Sequence, residues 1–125
     1  MATDAVTAAM TLALVAGSAE AAATLGVRPH SGPAGTSVIV KGSGFRPPGL
    51  CRGISISFTD ATGITTTLGS TSPNADGSFR VRELIPATAA TGGGALTARQ
   101  ANSFPPVRRC YKGLSAETAF TVTGT

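Results

Sequence analysis

Alternation between apolar and small polar residues is the dominant pattern along this chain. It is clearest where Ile54, Ile56 and Phe58 alternate with Ser55, Ser57 and Thr59. A period of two sends the two sets to opposite faces, as in a strand with one buried side and one wet side. Residues 24–27 read as a short strand, ended by Arg28-Pro29. Residues 36–41 read as another, with Val38 and Val40 inward and Ser37 and Lys41 outward. Ile39 interrupts the polar side, which predicts that something covers that outer face. Thr-rich residues 64–68 read as an edge strand. Phe79, Val81 and Leu84 are predicted to point inward from the next strand, with Arg80, Arg82 and Glu83 outside. Leu96 and Ala98 mark a short strand closing at Arg99. Phe120 and Val122 face inward from a last strand at 118–123.

Between these strands lie turns of recognisable chemistry. Residues 30–35 carry two Gly and a Pro, and SPNADG at 72–77 combines Pro, Asn, Asp and Gly. Two connections are long, 42–53 and 100–117. Phe45, inside the first, is expected to plug one end of the core. The total is about seven strands with turns at the spacing of an antiparallel β-sandwich. No convincing helical period follows Ala23.

Composition sharpens this picture. A length of 125 residues fits one domain with a preceding segment: 1–23, then 24–125. Hydrophobic residues make up 42%, but much of that is Ala, and there are five Phe, one Tyr and no Trp. The core must be thin and mostly aliphatic, so the domain is expected to be marginal without a staple. The N-terminal segment has an apolar centre at 8–16, broken by Gly17-Ser18 and followed by small residues that fit an A-x-A cleavage pattern. The run is far shorter than the roughly 18 residues a membrane span needs. It reads as an export signal, with a retained Ala-rich helix as the alternative, because Asp4 stands where a Lys or Arg is usual.

Only 13% of residues are charged, yet the formal net charge is +4, and Arg supplies most of the cations. That balance favours anionic partners. It lacks the dense basic tracts of a dedicated nucleic-acid binder, so no specific nucleic acid is expected.

Several segments together resemble a known family. Val27-Arg28-Pro29, then Gly32-Pro33-Ala34-Gly35-Thr36-Ser37-Val38, resembles the opening of an IPT/TIG-type immunoglobulin-like domain of exported bacterial surface proteins. Gly42-Ser43-Gly44-Phe45 is similar to the Gly-x-Gly-Phe close of that opening. Ala75-Asp76-Gly77-Ser78-Phe79 and Ala119-Phe120-Thr121-Val122 resemble its middle turn and last strand. The likeness covers roughly 24–123. It implies an all-β, Ig-like sandwich used for adhesion, spacing or recognition, with no shared catalytic residues to carry over. The long 100–117 connection and the cysteines depart from the pattern.

Cys51 and Cys110 are the only cysteines, one in each long connection. In an Ig-like sandwich those two loops gather at the same end. Export and an even cysteine count favour a disulfide there, contributing roughly 3–4 kcal/mol by loop-entropy reasoning. The same loops hold Arg46, Arg52, Arg108, Arg109 and Lys112, with Tyr111 and Phe104 as stacking surface and no acid between 42 and 53 or between 100 and 116. Arg forks suit carboxylate, sulfate or phosphate. The expected site is therefore Arg46, Arg52, Arg108, Arg109, Tyr111 and Lys112, with an ordinary solvated loop end as the plain alternative. Arg80 and Arg82 read as protection of an exposed strand rather than as a site.

No catalytic fingerprint appears: there is no G-x-S-x-G, H-E-x-x-H or P-loop. Two Cys and one His are too few to build a metal site, and no cofactor is expected. The leading expectation is a secreted or cell-surface binding or structural module without catalytic activity. Its partner would be an anionic glycan, an envelope polymer or a protein. Two alternatives are a self-assembling subunit of a surface fibre or particle, and a small-molecule carrier like the neocarzinostatin-type apoproteins.

Overall fold

A computed structural model describes residues 23–49, 52–102 and 111–124, with 102, 111 and 112 described by backbone alone. Eight strands are described: β1 (Thr24–Arg28), β2 (Ser31–Pro33), β3 (Ser37–Ser43), β4 (Ile54–Thr59), β5 (Thr65–Thr71), β6 (Phe79–Leu84), β7 (Gly92–Asn102) and β8 (Tyr111–Thr123). They form two sheets. One has three strands in the order β1-β3-β6; the other has five in the order β2-β8-β7-β4-β5. All pairings are antiparallel except β2 with β8, which is parallel.

The inward sides of these strands make one core. Val27, Val38, Val40, Ile54, Ile56, Phe58, Phe79, Leu96, Ala98, Phe120 and Val122 are all buried. Phe58 and Phe120 meet edge to face at 6.1 Å between ring centres, a favoured geometry for aromatic rings. Phe45 closes one end as expected: it is buried and packs on Phe79 at 5.5 Å.

Several expectations need correction. The described strands number eight rather than about seven, because 31–33 forms β2 instead of belonging wholly to a turn. Its three residues pair with Thr121, Val122 and Thr123, a tertiary contact that three residues of Ser, Gly and Pro do not announce. β7 and β8 reach to Asn102 and back to Tyr111, so much of the expected 100–117 excursion is paired strand. On β6, alternation counted from Phe79 and Val81 carries Glu83 inward and Leu84 outward. Leu84 is 62% exposed, and Ile85 just beyond the strand is buried in its place. Glu83 lies half-buried against Gly69 of β5, and that burial pushes its carboxyl pKa up.

The turn before β6 shows why a glycine stands at position 77. Gly77 has φ +83°, and its carbonyl accepts the Phe45 amide at 3.1 Å. A side chain there would run into the Phe45 carbonyl. Both the backbone conformation and the close approach demand glycine. Gly77→Ala is expected to lower stability by at least about 2 kcal/mol. Urea unfolding checks this, and a loss under about 0.5 kcal/mol, the range of an ordinary surface substitution, contradicts it.

Candidate functional site

Alternation along β7 sends Leu96, Ala98 and Gln100 to the core side. Gln100 is only 1% exposed, and a buried amide must find partners. It finds them in the β3–β4 connection. Gln100 Oε1 accepts the Arg46 backbone N–H at 2.7 Å, while Nε2 donates to the Arg46 and Arg52 carbonyls, each at 2.9 Å. The side chain thus acts as a short piece of strand edge and grips both ends of the 46–52 loop. The β7–β8 ladder shifts register between Gln100 and Ala101. Gly113 of β8 sits opposite, against the Gln100 and Ala101 backbone, where no side chain fits.

This clamp positions part of the expected site. The Arg46 side chain is exposed. Arg52 behaves differently: its backbone N–H donates to Gly49 O at 3.1 Å, and its Nη1 reaches back to Pro47 O at 3.4 Å. Its guanidinium therefore helps close the loop. Tyr111 and Lys112 belong to β8, opposite Asn102 and Ala101, rather than to a loop. Cys51, Cys110, Arg108 and Arg109 lie outside the described residues, as does Phe104. Next to the clamp an open groove of about 420 Å³ runs past Ser55, Arg99, Gln100, Ala101 and Leu114.

A second polar anchor works in the turn between β4 and β5. Asp60 is 8% exposed. Its Oδ1 accepts from Thr62 Oγ1 at 2.7 Å, Thr62 N at 2.9 Å and Ile64 N at 3.2 Å; Oδ2 accepts from Ala90 N at 3.1 Å. The Thr62 hydroxyl, followed by the backbone amides, lowers its pKa from 3.8 to about 2. Asp76 does the same on a smaller scale, with its carboxylate favoured by the Ser78 hydroxyl and amide. The turn chemistry expected of 72–77 holds at Asp76, and Asp60 reaches further, across to the loop before β7.

Gln100 is the residue that sequence reasoning missed. Its signal was present, since Leu96 and Ala98 set a phase that puts position 100 inside. Among the described residues no group of three His, Cys, Asp or Glu side chains is placed to hold a metal, and no helix is long and apolar enough to cross a membrane.

Gln100→Ala is expected to cost about 2–4 kcal/mol, because it leaves the Arg46 amide and two carbonyls without partners. It should also speed proteolysis within 46–52; urea unfolding and limited digestion read both effects. Asp60 sets an acid limit. Its folded-state pKa is depressed, so its stabilisation is full above about pH 4 and fades as pH falls toward 2. Wild type should therefore lose stability across that window more steeply than Asp60→Asn, with the two curves converging near pH 2. Parallel curves in acid unfolding would count against the assignment.

Comparison with protein-family models, with curated proteins and with solved structures finds no match to this chain.

Proposed function

We propose that this chain is an exported, Ig-like binding or structural module that engages an anionic partner through one end of its sandwich. The strand orders support the Ig-like part of this reading. β1-β3-β6 corresponds to A-B-E, and β2-β8-β7-β4-β5 to A′-G-F-C-C′, with the short parallel β2 as A′. The same correspondence makes 44–53 the B–C loop and the segment after Asn102 the F–G loop. The likeness of 27–45 to IPT/TIG openings fits this order.

The single observation that carries the contact surface is the Gln100 clamp. A residue of the F strand grips both ends of the B–C loop, so the two Arg-bearing connections start from one end of the molecule. A disulfide between Cys51 and Cys110 fits that proximity and would add the staple a thin core calls for. Export to the cell surface or beyond rests on the signal-like 1–23 segment. The module has no catalytic role in this reading, and its partner is an anionic glycan, an envelope polymer or a protein.

The test spares Arg52, whose guanidinium closes its own loop. The combined variant Arg46→Ser, Arg108→Ser, Arg109→Ser is expected to leave a sulfated resin at clearly lower salt than wild type, with its urea midpoint unchanged. Elution at the same salt removes the loop end as the contact. A non-reducing peptide map is expected to join Cys51 to Cys110; two unlinked thiols remove the staple.

A further inference from the structure

The outer face of the three-stranded sheet carries a charge pattern that the loop end does not explain. Alternation turns Arg28 of β1, Lys41 of β3, and Arg80 and Arg82 of β6 outward. Register aligns them in two rows: Gly26–Lys41–Arg80 and Arg28–Ile39–Arg82. Strand spacing puts neighbours in a row about 5 Å apart, and the rows lie about 7 Å apart along the strands. Among the described residues no carboxylate shares this face. Glu83 is turned inward against β5, and Asp76, in the turn before β6, is engaged by Ser78.

The face is grooved as well as charged. One groove of about 340 Å³ runs past Gly26, Arg28, His30, Ile39, Lys41 and Arg80. Another of about 560 Å³ runs past Thr24, Gly26, Lys41, Ser43, Ser78 and Arg80. They share Gly26, Lys41 and Arg80, so they adjoin along that row as a two-part trough. Gly26 supplies its floor: nothing lies within 4 Å of where a side chain would begin. At the far end a hydroxyl row flanks the cations, with Thr24 Oγ1 and Ser43 Oγ 2.7 Å apart.

We infer that this trough binds a linear acidic polysaccharide, with Arg80, Arg82, Lys41 and Arg28 meeting its carboxylate or sulfate groups and the Thr24–Ser43 row meeting its hydroxyls. The inference rests on the reading that the partner is anionic, and it names both the class and a second surface. Three features favour a glycan. An open trough suits an extended chain better than a small anion. Phe45, Phe58, Phe79 and Phe120 are all buried, which leaves no described aromatic platform here for stacked bases. Among the described residues, Leu84 and Ile39 are the only large aliphatic side chains on the face, too few to anchor it in a bilayer.

The test measures affinity of the full chain for dextran sulfate and polygalacturonate, with polyglutamate and phosphatidylserine vesicles as competing probes. Arg80→Thr with Arg82→Thr is expected to weaken glycan binding about tenfold at moderate salt. Arg99→Glu, an equal change of charge on the other sheet, should leave it within about twofold. Gly26→Val changes no charge and fills the trough floor, and should weaken binding by a comparable factor. Equal losses for the Arg80/Arg82 and Arg99 variants, full binding by Gly26→Val, or preference for polyglutamate or vesicles each overturn the proposal. Loss confined to the Arg46, Arg108, Arg109 variant also overturns it while leaving the loop-end reading standing. No binding of any anionic probe by wild type sinks both.

Discussion

The position of one buried amide governs how one end of this sandwich is held together. Gln100 sits where period-two alternation demands an apolar side chain, so its three hydrogen bonds must be made inside the protein. They are made with the backbone of a loop that contains Pro47 and Pro48. A hydrophobic side chain at 100 would fill the same space and leave the Arg46 and Arg52 carbonyls searching for water. The thin core sharpens the point. Two small sheets bury few large side chains, so polar ties at the sandwich ends bear more of the burden of a single native arrangement. Asp60 plays the corresponding part in the β4–β5 turn, where one carboxylate joins that turn to the loop before β7.

The elements legible in the sequence were those whose side chains contrast sharply. β4 was readable to the residue because Ile, Ile and Phe alternate with Ser, Ser and Thr. The far ends of β7 and β8 were not, because Ala101, Gly113, Ser115 and Ala116 present small side chains with little contrast between faces. There the backbone ladder, not burial, extends the strands. β2 was invisible for another reason: its three residues are strand only because β8 lies beside them. Leu84 misled because its apolar character was weighed above its phase. Of the expected site, Arg46 is exposed and lies between β3 and β4. Arg52 was read by its charge alone, although its guanidinium is turned back on Pro47.

Placement of the acids explains how a chain with only 13% charged residues can still gather cations on one sheet face. Among the described residues, three of the four acids are engaged. Asp60 and Asp76 are drawn into turns, and Glu83 is folded into the seam between β6 and β5. Glu117 lies on the outer side of β8, in the other sheet. Among the described residues, the cations of the small sheet therefore share their face with no carboxylate, and charges are felt most at short range.

Edge protection accounts for part of this arrangement but not for its shape. β6 and β1 are the edges of the three-stranded sheet, and cations there discourage unwanted strand pairing. Lys41, however, is on β3, the central strand, whose backbone is paired on both sides. It has no edge to protect. A glycine beside it at position 26 widens the surface into a trough, which edge protection also does not require, and which costs a strand the packing and order a larger residue would supply. A central cation beside an unfilled floor is what the proposed glycan trough requires, and the charge on either side of it would set the sign of its occupant.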